Sequence, residues 1–214
     1  MTEFYRKSAG GGGKEEPILL AEQSRASGLQ SLNQVLGDWS PDGRYLLYSV
    51  TASSDFDLWL LPMAENAKPV SLLSAPGEQL HGNFSPDGRL VAYSSNESGR
   101  FEVHVQTFPL SDRQWTVSTN GGFEPRWRAD GREIYYLSED QKLMAVPVSP
   151  GPSFGLPRPL FQTRIPGGVH PLRTHYVPSR DGQRFLINTQ VADPVPVPIT
   201  VVLNWYRSIP PPSR

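Results

Sequence analysis

This sequence predicts an all-β fold, a β-propeller of four-stranded antiparallel blades, on three observations. Asp-Gly pairs recur at Asp42-Gly43, Asp87-Gly88, Asp130-Gly131 and Asp181-Gly182, in steps of 45, 43 and 51 residues. A large ring, Trp39, Phe84 or Trp127, stands three positions before each of the first three Asp residues. Short β-branched and aromatic runs lie between the turn signals, without the 3.6-residue apolar rhythm of helical repeats. A four-stranded blade needs roughly 40–50 residues, which matches the steps. About four to five blades are expected, in a ring that is either incomplete or closed by pairing of its N- and C-terminal strands.

The elements follow in order. Phe4-Tyr5-Arg6-Lys7-Ser8 and Pro17-Ile18-Leu19-Leu20-Ala21 read as the third and fourth strands of a blade whose first two are absent. Three whole units come next. Each opens on the ring-bearing strand and turns at Ser40-Pro41-Asp42-Gly43, Ser85-Pro86-Asp87-Gly88 or Arg128-Ala129-Asp130-Gly131. Pro presets φ at the second turn position and Gly supplies positive φ at the last, which makes a compact hairpin with a bulge. The second strand carries Tyr48, Tyr93 or Tyr136, six positions after the Asp. Rings at equivalent places in successive sheets are expected to fill the wedges between blades.

Third strands are predicted at Asp57-Leu58-Trp59-Leu60-Leu61, Glu102-Val103-His104-Val105-Gln106 and Lys142-Leu143-Met144-Ala145-Val146. Fourth strands are predicted at Val70-Ser71-Leu72-Leu73, Gln114-Trp115-Thr116-Val117 and Leu160-Phe161-Gln162-Thr163. The last unit gives strands near 174–177, 183–188 and 199–205, with Pro178 and Ile187 in place of the rings and looser packing expected. The chain thus divides into one propeller domain, 1–206, and a disordered proline-rich tail, 207–214. Within the domain, a partial blade spans 3–22, whole blades span about 31–75, 76–120 and 121–165, and the last spans 166–206.

Composition narrows the function classes. Lys plus Arg is 20 and Asp plus Glu is 21, with no basic stripe, which argues against nucleic acid as a partner. There are no cysteines, so disulfides, thiolate zinc sites and a cysteine nucleophile are excluded. No apolar run reaches the roughly 20 residues that span a bilayer as a helix. Met1-Thr2-Glu3-Phe4-Tyr5-Arg6-Lys7 lacks the apolar core of a signal peptide. The expectation is a chain that is not exported, or an internal piece with its export signal upstream.

Ser-Pro-Asp-Gly-Arg followed by Leu90-Val91-Ala92-Tyr93-Ser94 resembles the TolB-type, WD-like propeller repeat of bacteria. So do Asn96-Glu97-Ser98-Gly99-Arg100, Val117-Ser118-Thr119-Asn120-Gly121-Gly122, Leu160-Phe161-Gln162-Thr163-Arg164 and Val201-Val202-Leu203-Asn204-Trp205. Together, over roughly residues 3–206, they are similar to the C-terminal propeller of large bacterial proteins, some with a serine/threonine kinase domain upstream. The resemblance implies six or seven blades in a complete ring and a periplasmic or other extracytoplasmic location. It says little about function.

Several motifs point at chemistry. The chain is read as lacking the Gly-x-Ser-x-Gly nucleophile elbow, which puts any hydrolase domain elsewhere. Gly10-Gly11-Gly12-Gly13-Lys14 fails the phosphate-loop pattern, since Glu15 follows the Lys and a strand follows the loop. It reads as a flexible hairpin tip. Asn96-Glu97-Ser98 fits a glycosylation triplet by chance, and Asp55 and Asp57 read as solvated turn acids. His104 and His170 have no partner visible in the sequence.

One constellation stands out. Six positions before each Asp lie Leu36, His81, Glu124 and His175. First strands line the axis of a propeller, so these positions converge at the channel mouth. His81, Glu124 and His175 are therefore the candidate ligand-binding residues, with a divalent metal or an anionic group as the chemistry they suit. The alternative is three unrelated polar residues in a wet channel. No catalytic residue, no cofactor and no resident metal is assigned. The leading expectation is a non-catalytic module that docks a protein, peptide or glycan. The runner-up is an enzyme fragment, either a prolyl-oligopeptidase-like gate or an axial-metal lyase or hydrolase. An open array also exposes sheet edges and an apolar wedge, which favours a homo-oligomer.

Overall fold

A computed structural model of the chain describes residues 3–10, 12–19, 34–51, 55–65, 67–168, 170 and 173–189. All regular structure among them is β. A two-stranded hairpin comes first, β1 (Phe4–Arg6) with β2 (Glu16–Leu19). The first blade is β3 (Gln34–Trp39), β4 (Tyr45–Thr51), β5 (Phe56–Pro62) and β6 (Val70–Leu73), paired antiparallel in that order. The second is β7 (Gln79–Phe84), β8 (Leu90–Ser95), β9 (Glu102–Thr107) and β10 (Gln114–Thr116). The third contains β11 (Phe123–Trp127), β12 (Glu133–Leu137) and β13 (Lys142–Ser149), followed by β14 (Ser153–Phe154) and β15 (Arg158–Gln162), which both pair with β13. A hairpin closes the described chain, β16 (Tyr176–Pro178) with β17 (Phe185–Ile187). The strand expected at 199–205 and the tail at 207–214 lie outside the described residues.

The turn repeats for a reason beyond the glycine. Gly43, Gly88, Gly131 and Gly182 hold φ of 74°, 69°, 73° and 69°, the left-handed region. In every copy the Asp carboxylate also accepts the N–H after the glycine, at Arg44, Arg89, Arg132 and Gln183. The leading Ser adds two bonds. Ser85 Oγ donates to Asp87 at 2.6 Å and accepts the Leu90 N–H at 2.9 Å. The side chains thus satisfy the backbone of the turn, and an Asp is as hard a requirement as the Gly.

Packing between blades repeats one register. Residues four and six positions after the Asp face the preceding blade, and the residue at five faces the following one. Leu47, at five, joins Phe84, Val91 and Tyr93 of the second blade. Ala92 joins Trp127, Ile134 and Tyr136 of the third. Tyr135 joins Tyr176, with Phe185 and Ile187 packed against them. These are the between-blade wedges, and a fully buried Leu or aromatic ring in them is worth about 1.5–3 kcal/mol. The hairpin β1–β2 packs on the backward face of the first blade, with Phe4 edge-on to Tyr48 at 5.4 Å.

Two expectations change here. Phe84 and Trp127 are 3% and 7% exposed, but Trp39 is 48% exposed. No inner strands stand before the first blade among the described residues, and its ring is half exposed. Asp57 is not a turn acid. It lies in β5, is buried, receives the Ser74 hydroxyl at 3.4 Å, and has its carboxyl pushed up by burial.

Candidate functional site at the propeller axis

β3 lies beside β7, and β7 beside β11, so the first strands of successive blades line one axis. Each of these strands shifts register at the candidate position, between Leu36 and Asp38, Leu80 and Asn83, and Phe123 and Arg126. Such bulges re-aim side chains. His81 and Glu124 sit in them with φ of 57° and 53°, a strained conformation for non-glycine residues. Gly37 and Gly82 occupy the next position along, where a Cβ on Gly37 would stand 2.7 Å from the Gly82 carbonyl oxygen.

The bulges place the candidate residues as follows. Glu124 is fully buried. Its carboxylate accepts the His175 backbone N–H at 3.1 Å and lies 2.9 Å from His175 Nδ1. His175 Nε2 accepts the His170 backbone N–H at 3.1 Å, which assigns the ring proton to Nδ1 and makes it a donor to Glu124. The Tyr176 hydroxyl donates to the Glu124 carbonyl at 2.9 Å. His81 joins the pair through a serine: Ser94 Oγ accepts the Glu124 N–H at 3.0 Å and lies 3.4 Å from His81 Nδ1. Leu36 is exposed and stands apart.

Sequence reading missed the second layer of this site, four positions before each Asp: Asp38, Asn83 and Arg126. Asp38 Oδ2 accepts Asn83 Nδ2–H at 2.8 Å and the Phe84 N–H at 2.9 Å, both from the next blade. Asn83 Oδ1 then accepts the Trp127 N–H of the blade after, at 3.3 Å. Arg126 reaches Glu124 at 3.4 Å. Burial pushes the Asp38 carboxyl above its ordinary range, opposed by the Phe84 and Trp39 N–H bonds and by the Arg126 charge. The signal was present, since these positions share the repeat register of the first layer. Among the described residues no three His, Cys, Asp or Glu side chains are placed to hold a metal ion. No helix among them is long and apolar enough to cross a membrane.

Gly151-Pro152-Ser153-Phe154-Gly155 does match the letters of Gly-x-Ser-x-Gly, against the sequence reading. Ser153 opens β14, a strand returning onto β13, and not the strand-to-helix elbow the nucleophile needs. His104 does have partners: Nδ1 lies 3.2 Å from both Gln114 Nε2 and Thr116 Oγ1, and the ring stacks on Tyr93.

Burial pushes the His104 imidazole below its ordinary value of 6.5, against the opposing charges of Glu97 and Glu102. The unfolded chain therefore takes up this proton first as pH falls. The stability His104 contributes is fully present above pH 6.5 and is lost as pH falls from there through the folded value. Melting temperatures between pH 5 and 7.5 are expected to fall on the acid side in the native protein and to change less in His104→Gln. Equal slopes in both would place the acid sensitivity elsewhere.

The sheets and their register define an incomplete β-propeller, and its fold is TolB-like. TolB from Acinetobacter baumannii is similar with a TM-score of 0.63 and 15% identity, over 84% of this chain and 41% of that one. A protein assigned as TolB in Agrobacterium tumefaciens gives 0.55 and 18%, over 71% and 54%. A puromycin-hydrolyzing peptidase of Mycobacterium tuberculosis gives 0.58 and 18%, over 85% and 34%. The chain spans about half or less of the length of these proteins. No family model and no curated protein matches the sequence.

Proposed function

We propose that the chain is a non-catalytic docking module, part of a larger bacterial protein, that receives a peptide or protein segment at its axial mouth. One observation carries this reading. Glu124 and His175 hold each other in a buried pair, and Arg126, Asn83 and Asp38 form a half-buried polar wall beside them. The wall offers both donors and acceptors, which suits the amides of an extended chain. Arg126 is the residue that reaches the ligand, and His81, Glu124 and His175 hold the wall in place. An extracytoplasmic location accompanies the TolB-like reading.

Selection of random peptides on the immobilised protein tests this. Peptides so enriched are expected to bind Arg126→Ala at least tenfold more weakly, measured at a temperature where circular dichroism shows the variant folded. Undiminished binding in this variant would move docking away from the axis. A second reading, a peptidase gate or another enzyme fragment, draws support from the similarity to the puromycin-hydrolyzing peptidase. Stoichiometric metal after purification, lost in His81→Ala and His175→Ala, would favour an axial-metal form of it.

A further inference from the structure

Both ends of the blade array carry apolar surface of matching register. At the far end Leu186, five positions after its Asp, takes the place that Leu47, Ala92 and Tyr135 hold in the whole blades. Those residues pack forward onto the next blade. Leu186 faces the same way and is 78% exposed, with Val177 of β16 also exposed. At the near end Trp39 holds the place of Phe84 and Trp127, which receive such residues. Trp39 and Leu36 stand exposed instead.

The space in front of Trp39 has a definite shape. A groove of about 860 Å³ runs between β1 and the backward face of the first blade, lined by Phe4, Tyr5, Ile18, Leu36, Trp39 and Leu46 among others. It lies where the inner strands of a blade belong, because its blade wall is the first strand, at Leu36 and Trp39, while Phe4 of β1 packs on Tyr48 and Leu61 of the second and third strands. The hairpin β16–β17 is a pair of inner strands. Among the described residues β17 pairs only with β16, and β1 only with β2.

We infer that β16–β17 of one copy docks in this groove on a second copy, setting Leu186 against Trp39 and the edge of β17 beside β1. The contact repeats the register that already joins the blades within one chain, and the composite sheet restores a four-stranded blade. The surfaces that meet are different patches, so the interface is head-to-tail.

Light scattering on the full chain, with paired cysteine variants, tests this. The native protein is expected to show at least twice the chain mass at tens of micromolar, and Leu186→Asp to revert to a monomer with an unchanged circular dichroism spectrum. Leu156→Asp, at another exposed leucine, is expected to keep the native mass. The chain has no cysteine of its own, so a mixture of Leu186→Cys and Trp39→Cys chains is expected to give one disulfide-linked heterodimer on oxidation. A monomeric native protein would overturn the inference, the groove then being filled from the same chain, its 199–205 segment included. So would an assembly that survives Leu186→Asp. An intramolecular disulfide in the doubly substituted chain, at monomer mass, would show a single copy closing on itself and would equally overturn it.

Discussion

Glu124→Ala is expected to destabilise the protein by about 2–5 kcal/mol, because each buried donor left without a partner costs roughly 1–3 kcal/mol. The substitution leaves the His175 Nδ1–H and backbone N–H without acceptors in a site closed to water. It also frees Arg126 from its nearest carboxylate. Alanine inherits the positive φ, so relief of strain does not offset the loss. Urea unfolding checks this, with Glu124→Gln retaining part of the stability because its amide oxygen still accepts. A loss below about 1 kcal/mol in Glu124→Ala, the scale of an ordinary exposed interaction, would mean that the pair does not clamp the last hairpin to the third blade.

Gly37→Ala is expected to lower stability by about 2–3 kcal/mol, in the range of an overpacked core. The added methyl meets two carbonyl oxygens, of Gly82 at 2.7 Å and Leu47 at 3.1 Å. Backbone atoms cannot rotate away as a side chain end does, so the first two blades must separate. Gly12→Ala is the control, since its Cβ would meet nothing within 4 Å. The same urea experiment distinguishes them. A Gly37→Ala protein as stable as the native one would mean that the strands do not approach so closely along the axis.

The turns and wedges were legible because their causes are local. A turn that needs positive φ calls for Gly, and its dangling N–H groups call for Asp and Ser, so the repeat is written in adjacent letters. A related turn, one residue shorter, at Ser138-Glu139-Asp140-Gln141 is not legible as a repeat because Gln141, with φ of 63°, stands where the glycine would. The axial layer was half legible. Counting back from each Asp found Glu124 and His175, which do meet. It did not show that the bulges turn Glu124 away from solvent, because a bulge breaks the two-residue alternation that places side chains on faces. Asp38, Asn83 and Arg126 were passed over because their chemistry differs from copy to copy. Trp39 was misjudged for a different reason: whether a ring is covered depends on the neighbouring blade, and no local pattern reports that.

The Asp38–Asn83–Trp127 ladder has a consequence for how the molecule comes apart. Each rung ties one blade to the next, so the array behaves as a one-dimensional stack whose units are stabilised by nearest neighbours. An end unit is lost by breaking one interface, whereas the second blade leaves only when two break. Unfolding therefore enters from the termini and travels inward, the middle sheet exchanging its amide protons last. Anything that joins the two ends removes the point of entry, and protects every blade at once.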